Sequence, residues 1–342
     1  MAYISFKPSD NFSPNIWNGT GSAGHTITTG HSTDMVWFKQ RNGTQYHQIL
    51  DDVRGLDKPI YPNDNLAQGS GSTRISSTTS TGFVLGDGNN DSNGSGNTYV
   101  GLSWKANGQG SSNTDGSINT TYTSVNTTAG ISICRWTGSG ANATIGHGLG
   151  VVPKMYIVKN TSVANDFNVY HHSIGNTHRL FLNITQAQED NASAWNDTSP
   201  TSSLFTVGTN TNVNQSGSAM VAYVFAEKQG FSKFGKYKGN GNADGTFVYT
   251  GFKPGFVIVK NIETTGQWQM FDSKRGVNNA MGFLYPDSAE AETATVPMDI
   301  YSNGFKFRDT SEARNGNGYD FVFMAWAEEP LVASNGDVAP AR

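Results

Sequence analysis

Two short segments of the chain place an aspartate three residues before an arginine. They are Asp51 and Arg54 in "DDVRG" and Asp272 and Arg275 in "DSKRG". Such a pair could supply a catalytic acid with an electrostatic partner, but an Asp–Arg pair after a strand also commonly fixes a turn. The corresponding segment at 171–175 reads "HHSIG" and has neither group. We therefore predict that both pairs fix turns, and we predict no catalytic residue.

Histidines and acidic loops are the candidates for a metal site. His171 and His172 are adjacent and His178 follows closely, but no cysteine or carboxylate at a supporting spacing completes a zinc site. The loop "DGNNDSNG" at 87–94 is similar to calcium loops, yet it lacks the closing glutamate of an EF-hand. We predict a surface hairpin there, no metal and no cofactor. His171 and His172 either form hydrogen bonds within a loop or contact a ligand.

Aromatic side chains in polar stretches are the candidates for ligand binding. Trp195 lies in "ASAWNDTSP", and Tyr46, His47 and Trp268 lie near the start of a predicted strand. Aromatic faces stack on sugar rings, while neighbouring amides and carboxylates bind hydroxyl groups. Alternatively, these side chains cover the edge of a β-sandwich. Both interpretations stay open, and the predicted ligand-binding residues are Tyr46, His47, His171, His172, Trp195 and Trp268.

The composition favours a folded protein with a neutral polar surface. Charged residues make up 15% of the 342 residues, well below the roughly 25% of a typical soluble domain. The net charge is -4 and there is no basic cluster, so we do not expect binding to nucleic acid. Cys134 is the single cysteine, which excludes an intrachain disulfide.

One pattern occurs three times along the chain. Its copies begin at "WNGTG" (17–21), "WTGSG" (136–140) and "YKGNG" (237–241), and they span 87, 89 and 89 residues from the first shared position to the last. Agreement at six positions predicts three copies of one structural unit. The shared positions are an aromatic residue (Trp17, Trp136, Tyr237), a landmark lysine after an apolar run (Lys39, Lys159, Lys260), a polar residue (Asp51, His171, Asp272), a glycine (Gly55, Gly175, Gly276), a phenylalanine (Phe83, Phe205, Phe305) and a closing aromatic residue (Trp104, Phe225, Trp326).

The Gly-x-Gly part of this pattern does not predict a phosphate site. A phosphate loop joins a strand to the N-terminus of a helix, whose amides face the anion. Here short β-type segments such as "HTITTG" and "TFVYTG" follow the glycines. We predict a tight turn at the start of each unit.

The apolar runs predict an all-β fold of three tandem antiparallel β-sandwich repeats, jelly-roll or lectin-like. The runs are four to eight residues long and are separated by Gly/Asn/Ser/Pro clusters. The continuous run "VIV" at 257–259 predicts a strand that is covered on both faces. The predicted divisions are an N-terminal arm (1–15), unit 1 (16–106), a polar linker (107–130), unit 2 (131–229), unit 3 (230–330) and a C-terminal tail (331–342).

The phrases "YISFKPSDNF", "GHGLGVVPKMYIVKN", "WNDTSPTSSLFTVG" and "GFSKFGKYKGNG" together resemble tail-fibre and related virion proteins of marine bacteriophages. The resemblance covers nearly the whole chain. It implies a non-enzymatic virion protein, made in the host cytoplasm without a signal peptide or membrane insertion. The N-terminal arm would then be a candidate for attachment to the virion.

The resemblance further implies a tail fibre or receptor-binding protein that contacts a host surface glycan or protein through its loops. Its partners would be other tail or capsid proteins, and fibres of this kind usually assemble as homotrimers. A decoration protein of the head or tail without receptor contact is the alternative. A depolymerase that cuts host polysaccharide is disfavoured, because tailspike depolymerases usually have long β-helices and this pattern predicts three separate units. In addition, nothing in the sequence pairs two carboxylates across a cleft.

Overall fold

The computed structural model describes residues 7–276 and 282–330; the tail at 331–342 and the first six residues of the arm lie outside this part. The described residues contain two short α-helices, α1 (Ala192–Trp195) and α2 (Thr211–Asn214), and a 3₁₀ helix at Pro8–Asp10. The strands of unit 1 are β1 (Phe12–Asn18), β2 (His25–Thr28), β3 (Met35–Gln40), β4 (Gln48–Asp51), β5 (Ile75–Thr79), β6 (Gly82–Leu85) and β7 (Thr98–Trp104).

The remaining strands belong to the linker and to units 2 and 3. They are β8 (Tyr122–Asn126), β9 (Ile131–Thr137), β10 (Ala143–Gly146), β11 (Met155–Asn160), β12 (Asn168–His171), β13 (His178–Phe181), β14 (Glu189–Asp190), β15 (Leu204–Val207), β16 (Ala219–Phe225), β17 (Ser232–Lys238), β18 (Phe247–Tyr249), β19 (Phe252–Asn261), β20 (Gln269–Asp272), β21 (Met298–Tyr301), β22 (Gly304–Phe307) and β23 (Asp320–Pro330). The predicted all-β fold is confirmed.

Each unit has a main sheet with the same order of strands. The orders are β1-β7-β3-β4 in unit 1, β9-β16-β11-β12 within the seven-stranded sheet of unit 2, and β17-β23-β19-β20 in unit 3. A smaller sheet accompanies each main sheet, namely β2-β6-β5, β10-β15 and β18-β22-β21. The pairings between these strands are antiparallel. That the units are copies of one sequence repeat stays a prediction.

The central strands of the main sheets are buried on both faces, which confirms the prediction made from "VIV". In β19, Phe256 and Ile258 point into a core that all three units share, while Val257 and Val259 point into a core of unit 3 alone. This alternation follows from the two-residue period of a strand. It explains why these strands carry apolar residues at consecutive positions.

The closing aromatic residues of the three units meet in the shared core. The ring centroid of Trp326 lies 5.4 Å from that of Trp104 and 5.2 Å from that of Phe225, and Trp104 and Phe225 are 6.5 Å apart. Phe12 of β1 adds a fourth ring, 5.0 Å from Trp104. The three units are therefore packed around one core and are not separate beads.

Backbone hydrogen bonds close the three units into a ring. In each case an amide of one unit donates to the carbonyl two residues after the landmark lysine of the next unit. The bonds run from Gln68 to Thr161 (3.0 Å), from Gln188 to Ile262 (3.0 Å) and from Glu292 to Arg41 (2.7 Å). The ion pair between Arg41 and Glu292, at 2.6 Å, strengthens the contact between unit 3 and unit 1.

Two predicted boundaries differ from the structure. The polar linker at 107–130 contains β8, which pairs with β9 along its whole length. Most of its polar side chains are exposed or half-buried, and the buried hydroxyl groups have partners: the Asn107 amide donates to the Ser124 hydroxyl, and the Thr120 and Thr123 hydroxyls are 2.8 Å apart. The arm at 1–15 contains Phe12, which is part of the shared core. Backbone pairing and satisfied hydroxyl groups allow a segment with few apolar residues to join a sheet.

Replacement of Phe225 by alanine tests the shared core. We expect a loss of about 3–5 kcal/mol in the free energy of unfolding, because the cavity would lie where all three units meet. Chemical denaturation of wild type and variant measures the loss. Phe247→Ala is the matched control, since this ring is 43% exposed. Equal, small losses for both variants would contradict a shared core.

Candidate functional site

The Gly-x-Gly turns are held by a buried asparagine that the sequence reasoning missed. In unit 1 the Gly21 amide donates to the Asn93 carbonyl at 2.8 Å, and the Asn93 side chain donates to the Ser22 carbonyl at 2.7 Å. Asn214 and Asn315 hold the other two turns in the same way. The signal was present in the sequence, because each asparagine is the first residue of "NGSG", "NQSG" or "NGNG".

The first glycine of these turns allows a close approach of two backbones. A Cβ atom at Gly19 would lie 2.0 Å from the Gly94 carbonyl oxygen. The amides of Gly21, Gly140 and Gly241 therefore donate to carbonyl groups of the protein and are not free to bind a phosphate.

The Asp51–Arg54 pair lies at the end of β4 and is fully buried. The Asp51 carboxylate accepts hydrogen bonds from the Arg54 amide (2.9 Å) and from the Arg54 Nε (2.7 Å). The Tyr223 hydroxyl of unit 2 also donates to this carboxylate, at 2.6 Å. The pair therefore fixes a turn and connects two units. Asp272 and Arg275 form the same ion pair in unit 3.

His171 and His172 connect unit 2 to unit 3. Their Nε2 atoms lie 3.2 Å from the Phe323 carbonyl and 3.1 Å from the Phe234 carbonyl. Burial lowers the pKa of His171 to about 3, so its ring is neutral at pH 7. Because the Ser173 amide donates to Nδ1 of His171, the proton of this ring is on Nε2. Within residues 7–276 and 282–330, there is no group of three His, Cys, Asp or Glu residues that could hold a metal.

Trp195, Trp268 and His47 are buried, so their rings are not available at the surface to stack on a ligand. Trp195 packs edge-on against Tyr156 with ring centroids 4.9 Å apart, and its Nε1 donates to the His178 carbonyl at 3.1 Å. Its polar neighbours in the sequence lie in loops, while the ring itself turns into the core of unit 2.

Trp268 and His47 occupy corresponding positions, eight residues after a landmark lysine. The Nε1 of Trp268 donates to the Phe181 carbonyl of unit 2 at 2.7 Å. The Nδ1 of His47 accepts a hydrogen bond of 3.0 Å from Trp37. The Trp268 ring is thus bound across the boundary between units 3 and 2, and the His47 ring is bound within unit 1.

Tyr46 is 38% exposed and lines a pocket of about 270 Å³. We call it the Tyr46 pocket; Gln48, Tyr61, Leu66 and Asp91 also line it. The rings of Tyr46 and Tyr61 meet edge to face, with centroids 5.8 Å apart. The pocket thus combines two aromatic rings, an exposed leucine, an amide and a carboxylate. Such a mixture is typical of small-ligand sites.

The side-chain oxygen of Gln48 is a buried polar atom of the pocket lining without a hydrogen-bond partner among the described residues. Gln48 is 2% exposed, and its Oε1 accepts no hydrogen bond from any described residue. A buried acceptor without a donor costs free energy, about 1–3 kcal/mol. The oxygen is itself buried, so a ligand in the pocket meets it only after a change of the Gln48 rotamer; a donor that does so would recover that free energy on binding.

Comparison with known proteins identifies the family of the chain. The model of the family DUF7483, described as a domain of unknown function, matches residues 7–330. The chain belongs to this family. No curated protein matches it. In the described part, no helix is long and apolar enough to cross a membrane.

A second concave surface lies between units 2 and 3, and we call it the unit 2–3 groove. Its volume is about 670 Å³. Val151, Val152 and Tyr249 line it with 42%, 46% and 57% exposure. Lys154 and Lys228 add positive charge to the wall. This groove suits a surface of another protein with apolar and acidic groups.

The three landmark lysines are buried at the ends of β3, β11 and β19. Burial lowers the pKa of each of them to about 8. A lysine of lowered pKa can be a catalytic base, but these amines donate to backbone carbonyls. The Nζ of Lys159 donates to Asn65 of unit 1 at 3.1 Å, and that of Lys260 donates to Thr185 of unit 2 at 2.8 Å. We interpret Lys159 and Lys260 as links between neighbouring units, whereas Lys39 donates to the Gln40 and Gly43 carbonyls of its own unit.

The buried lysines should make stability depend on pH. Between pH 8 and 10.5 the unfolded chain holds a proton that a folded lysine of pKa about 8 has released. The contribution of Lys159 to the free energy of unfolding should therefore rise with pH, by at most ~1.4 kcal/mol per pH unit. Urea denaturation of wild type and Lys159→Met at pH 7.5, 8.5 and 9.5 measures it.

The difference in the free energy of unfolding between wild type and Lys159→Met reports the titration of Lys159 alone. Burial raises the pKa of Cys134 and of Tyr223, so these groups act in the opposite direction, but they do so in both proteins. A difference that stays constant from pH 7.5 to 9.5 would show that Lys159 titrates normally in the fold.

Proposed function

We propose that this member of DUF7483 is a non-enzymatic protein of a bacteriophage particle that binds the surface of the host. In this role it is a tail fibre or receptor-binding protein, located on the virion, and its ligand is a glycan or a protein. The resemblance of the sequence to tail-fibre and related virion proteins supports the proposed location on a phage particle. The Tyr46 pocket supports the binding function.

The observation that carries the proposal is the combination of exposed aromatic rings with an unpaired buried acceptor. Tyr46 and Tyr61 present apolar ring faces and hydroxyl groups beside the carboxylate of Asp91. The free Oε1 of Gln48 selects ligands that donate a hydrogen bond. Specific binding sites are built in this way, from apolar contact and a few oriented polar groups.

The buried polar groups fit a framework role in this proposal. The Asp51–Arg54 pair and the side chain of Tyr223 bind each other, and His171 bonds to a backbone carbonyl. Their hydrogen-bonding capacity serves contacts between units, so the proposal assigns them no reaction. Assembly of the chain as a homotrimer stays a prediction.

The unit 2–3 groove favours the alternative function, a structural or decoration protein of the head or tail. Exposed Val151, Val152 and Tyr249 form an apolar wall of the kind that docks on another protein. The lysines of the groove would face acidic groups of that partner protein of the particle. In this case the chain would not contact a receptor.

Substitution of two exposed tyrosines, Tyr46 and Tyr249, distinguishes the receptor-binding function from the decoration function. Labelled wild type, Tyr46→Ala and Tyr249→Ala are incubated with a panel of marine bacterial isolates, and bound protein is measured against concentration. For a receptor-binding protein we expect saturable binding that weakens at least about tenfold in Tyr46→Ala, which corresponds to ~1.4 kcal/mol. Tyr249→Ala, the matched control, should bind as wild type does.

The opposite result would support the decoration function. If no isolate binds the folded protein, and purified phage particles bind wild type but not Tyr249→Ala, the proposed contact with the host is wrong. Measurement of the thermal transition of each variant shows that both substitutions leave the fold intact, as expected for exposed side chains.

A further inference from the structure

Corresponding amide groups in the three units have different partners. Gln48, Asn168 and Gln269 each lie nine residues after a landmark lysine, on β4, β12 and β20. In unit 2 the Asn168 oxygen accepts a hydrogen bond of 2.9 Å from Nη1 of Arg179. In unit 3 the Gln269 oxygen accepts one of 2.9 Å from Nη1 of Arg314. In units 2 and 3 a buried guanidinium therefore donates to the amide oxygen. In unit 1 the corresponding oxygen of Gln48 has no partner among the described residues.

A serine in unit 1 occupies the position of the unit 3 arginine. Ser92 precedes Asn93 as Arg314 precedes Asn315. The backbone contacts correspond as well, because the Trp17 indole donates to the Ser92 carbonyl at 2.8 Å and the Tyr237 hydroxyl donates to the Arg314 carbonyl at 2.7 Å.

The replacement of a long side chain by a short one removes the donor. The Ser92 hydroxyl is buried and also lacks a partner among the described residues. It does not reach the oxygen of Gln48. Unit 1 thus lacks the guanidinium that unit 3 has at this position; in unit 2 this position is Val213, and the guanidinium comes from Arg179 of β13.

The carboxylates that accompany a guanidinium are present around the Tyr46 pocket. Asp91 lines it, and the charge of Asp64 raises the pKa of the Tyr46 hydroxyl, which shows that this carboxylate is close. Asp87 lies five residues before Ser92, as Asp309, the ion-pair partner of Arg314, lies five residues before Arg314.

The charge around the pocket is therefore negative. Arg74 forms ion pairs with Asp87 (3.1 Å) and Asp91 (2.7 Å). Lys159 also interacts with Asp64, so two cations stand against three carboxylates and one negative charge is left in excess. The faces of Tyr46 and Tyr61 add a surface on which a planar cation can stack.

We propose that the Tyr46 pocket binds a guanidinium group, the arginine side chain of a partner protein. The guanidinium stacks against Tyr46 and, after a change of the Gln48 rotamer that turns its buried Oε1 towards the pocket, donates to this oxygen as the internal arginines do in units 2 and 3. The volume of about 270 Å³ is just below the ~300–1,000 Å³ of typical small-molecule sites, which suits one side chain better than an oligosaccharide. The location of this partner at the host surface rests on the proposed function. The binding of a guanidinium group in the pocket does not depend on that function.

A small probe tests the recognition directly. N-acetyl-L-argininamide is titrated into the full chain, and the same is done with its citrulline counterpart, which has the same shape but no charge. Binding is followed by tyrosine fluorescence and by NMR. We expect saturable binding of the arginine probe and at least tenfold weaker binding of the citrulline probe. Equal binding of the two, or no binding of either, would overturn the proposal.

Ser92→Arg tests the correspondence between the units. The new arginine can reach Gln48 and Asp87 as Arg314 reaches Gln269 and Asp309, so we expect a thermal transition that is not lowered and loss of probe binding. Undiminished binding by this folded variant would contradict the proposal. If the variant does not fold, Gln48→Met decides, since it removes the acceptor and keeps the length of the side chain. Tyr249→Ala is the control and should bind the probe as wild type does.

The outcomes for the probe and for whole cells are distinguishable. Binding of the arginine probe by a chain that attaches to no cell supports the guanidinium site and contradicts the receptor function. Attachment to cells that depends on Tyr46 and is displaced by a free sugar, but not by the arginine probe, overturns the guanidinium site and supports a glycan receptor.

Discussion

The packing of three aromatic rings in one shared core is the contact on which the rest of the structure depends. Trp104, Phe225 and Trp326 come from three different main sheets and meet within 6.5 Å of one another. Each main sheet must therefore bury one face against the other two units and the opposite face against its own smaller sheet. This requirement explains why the central strands are apolar at consecutive positions. It also explains why the landmark lysines that follow these runs are buried and donate to backbone carbonyls.

A ring of three similar units leaves room for differences between them. The framework tolerates an Asp–Arg pair in units 1 and 3 and a histidine pair in unit 2, because each arrangement satisfies its own hydrogen bonds and links neighbouring units. The unpaired oxygen of Gln48, in the lining of the Tyr46 pocket, is connected with such a difference. Where unit 3 has Arg314, unit 1 has Ser92, and the amide of Gln48 loses the internal donor that the corresponding amide of unit 3 has. The difference between units 1 and 3 at this position thus accounts for an acceptor without an internal donor.

Much of the fold could be predicted because its signals are local. Short apolar runs between Gly/Asn clusters are typical of antiparallel strands, and the six shared positions predicted where corresponding strands lie. The site could be predicted far less well. Of the six residues expected to bind a ligand, Tyr46 lines an exposed pocket, while Trp195 and Trp268 are buried with their indole groups bound to distant carbonyls. The polar sequence around Trp195 indicated a loop, but Trp195 ends the short helix α1 and its ring is directed inward. No signal in the sequence marks Gln48 or Ser92 as part of a site, because glutamine is common in strands and serine is common in turns.

The amino-acid sequence by itself determined the strands, the turns and the recurrence of the pattern, because these depend on side-chain periodicity and on turn residues within a few positions. The tertiary structure alone decided which faces are covered, that β8 joins a sheet, and that the units close into a ring. The physical reason is distance along the chain. Exposure of an aromatic ring and pairing of a buried amide depend on residues tens to hundreds of positions away, as the ion pair between Arg41 and Glu292 shows. No local pattern records whether such a partner is present.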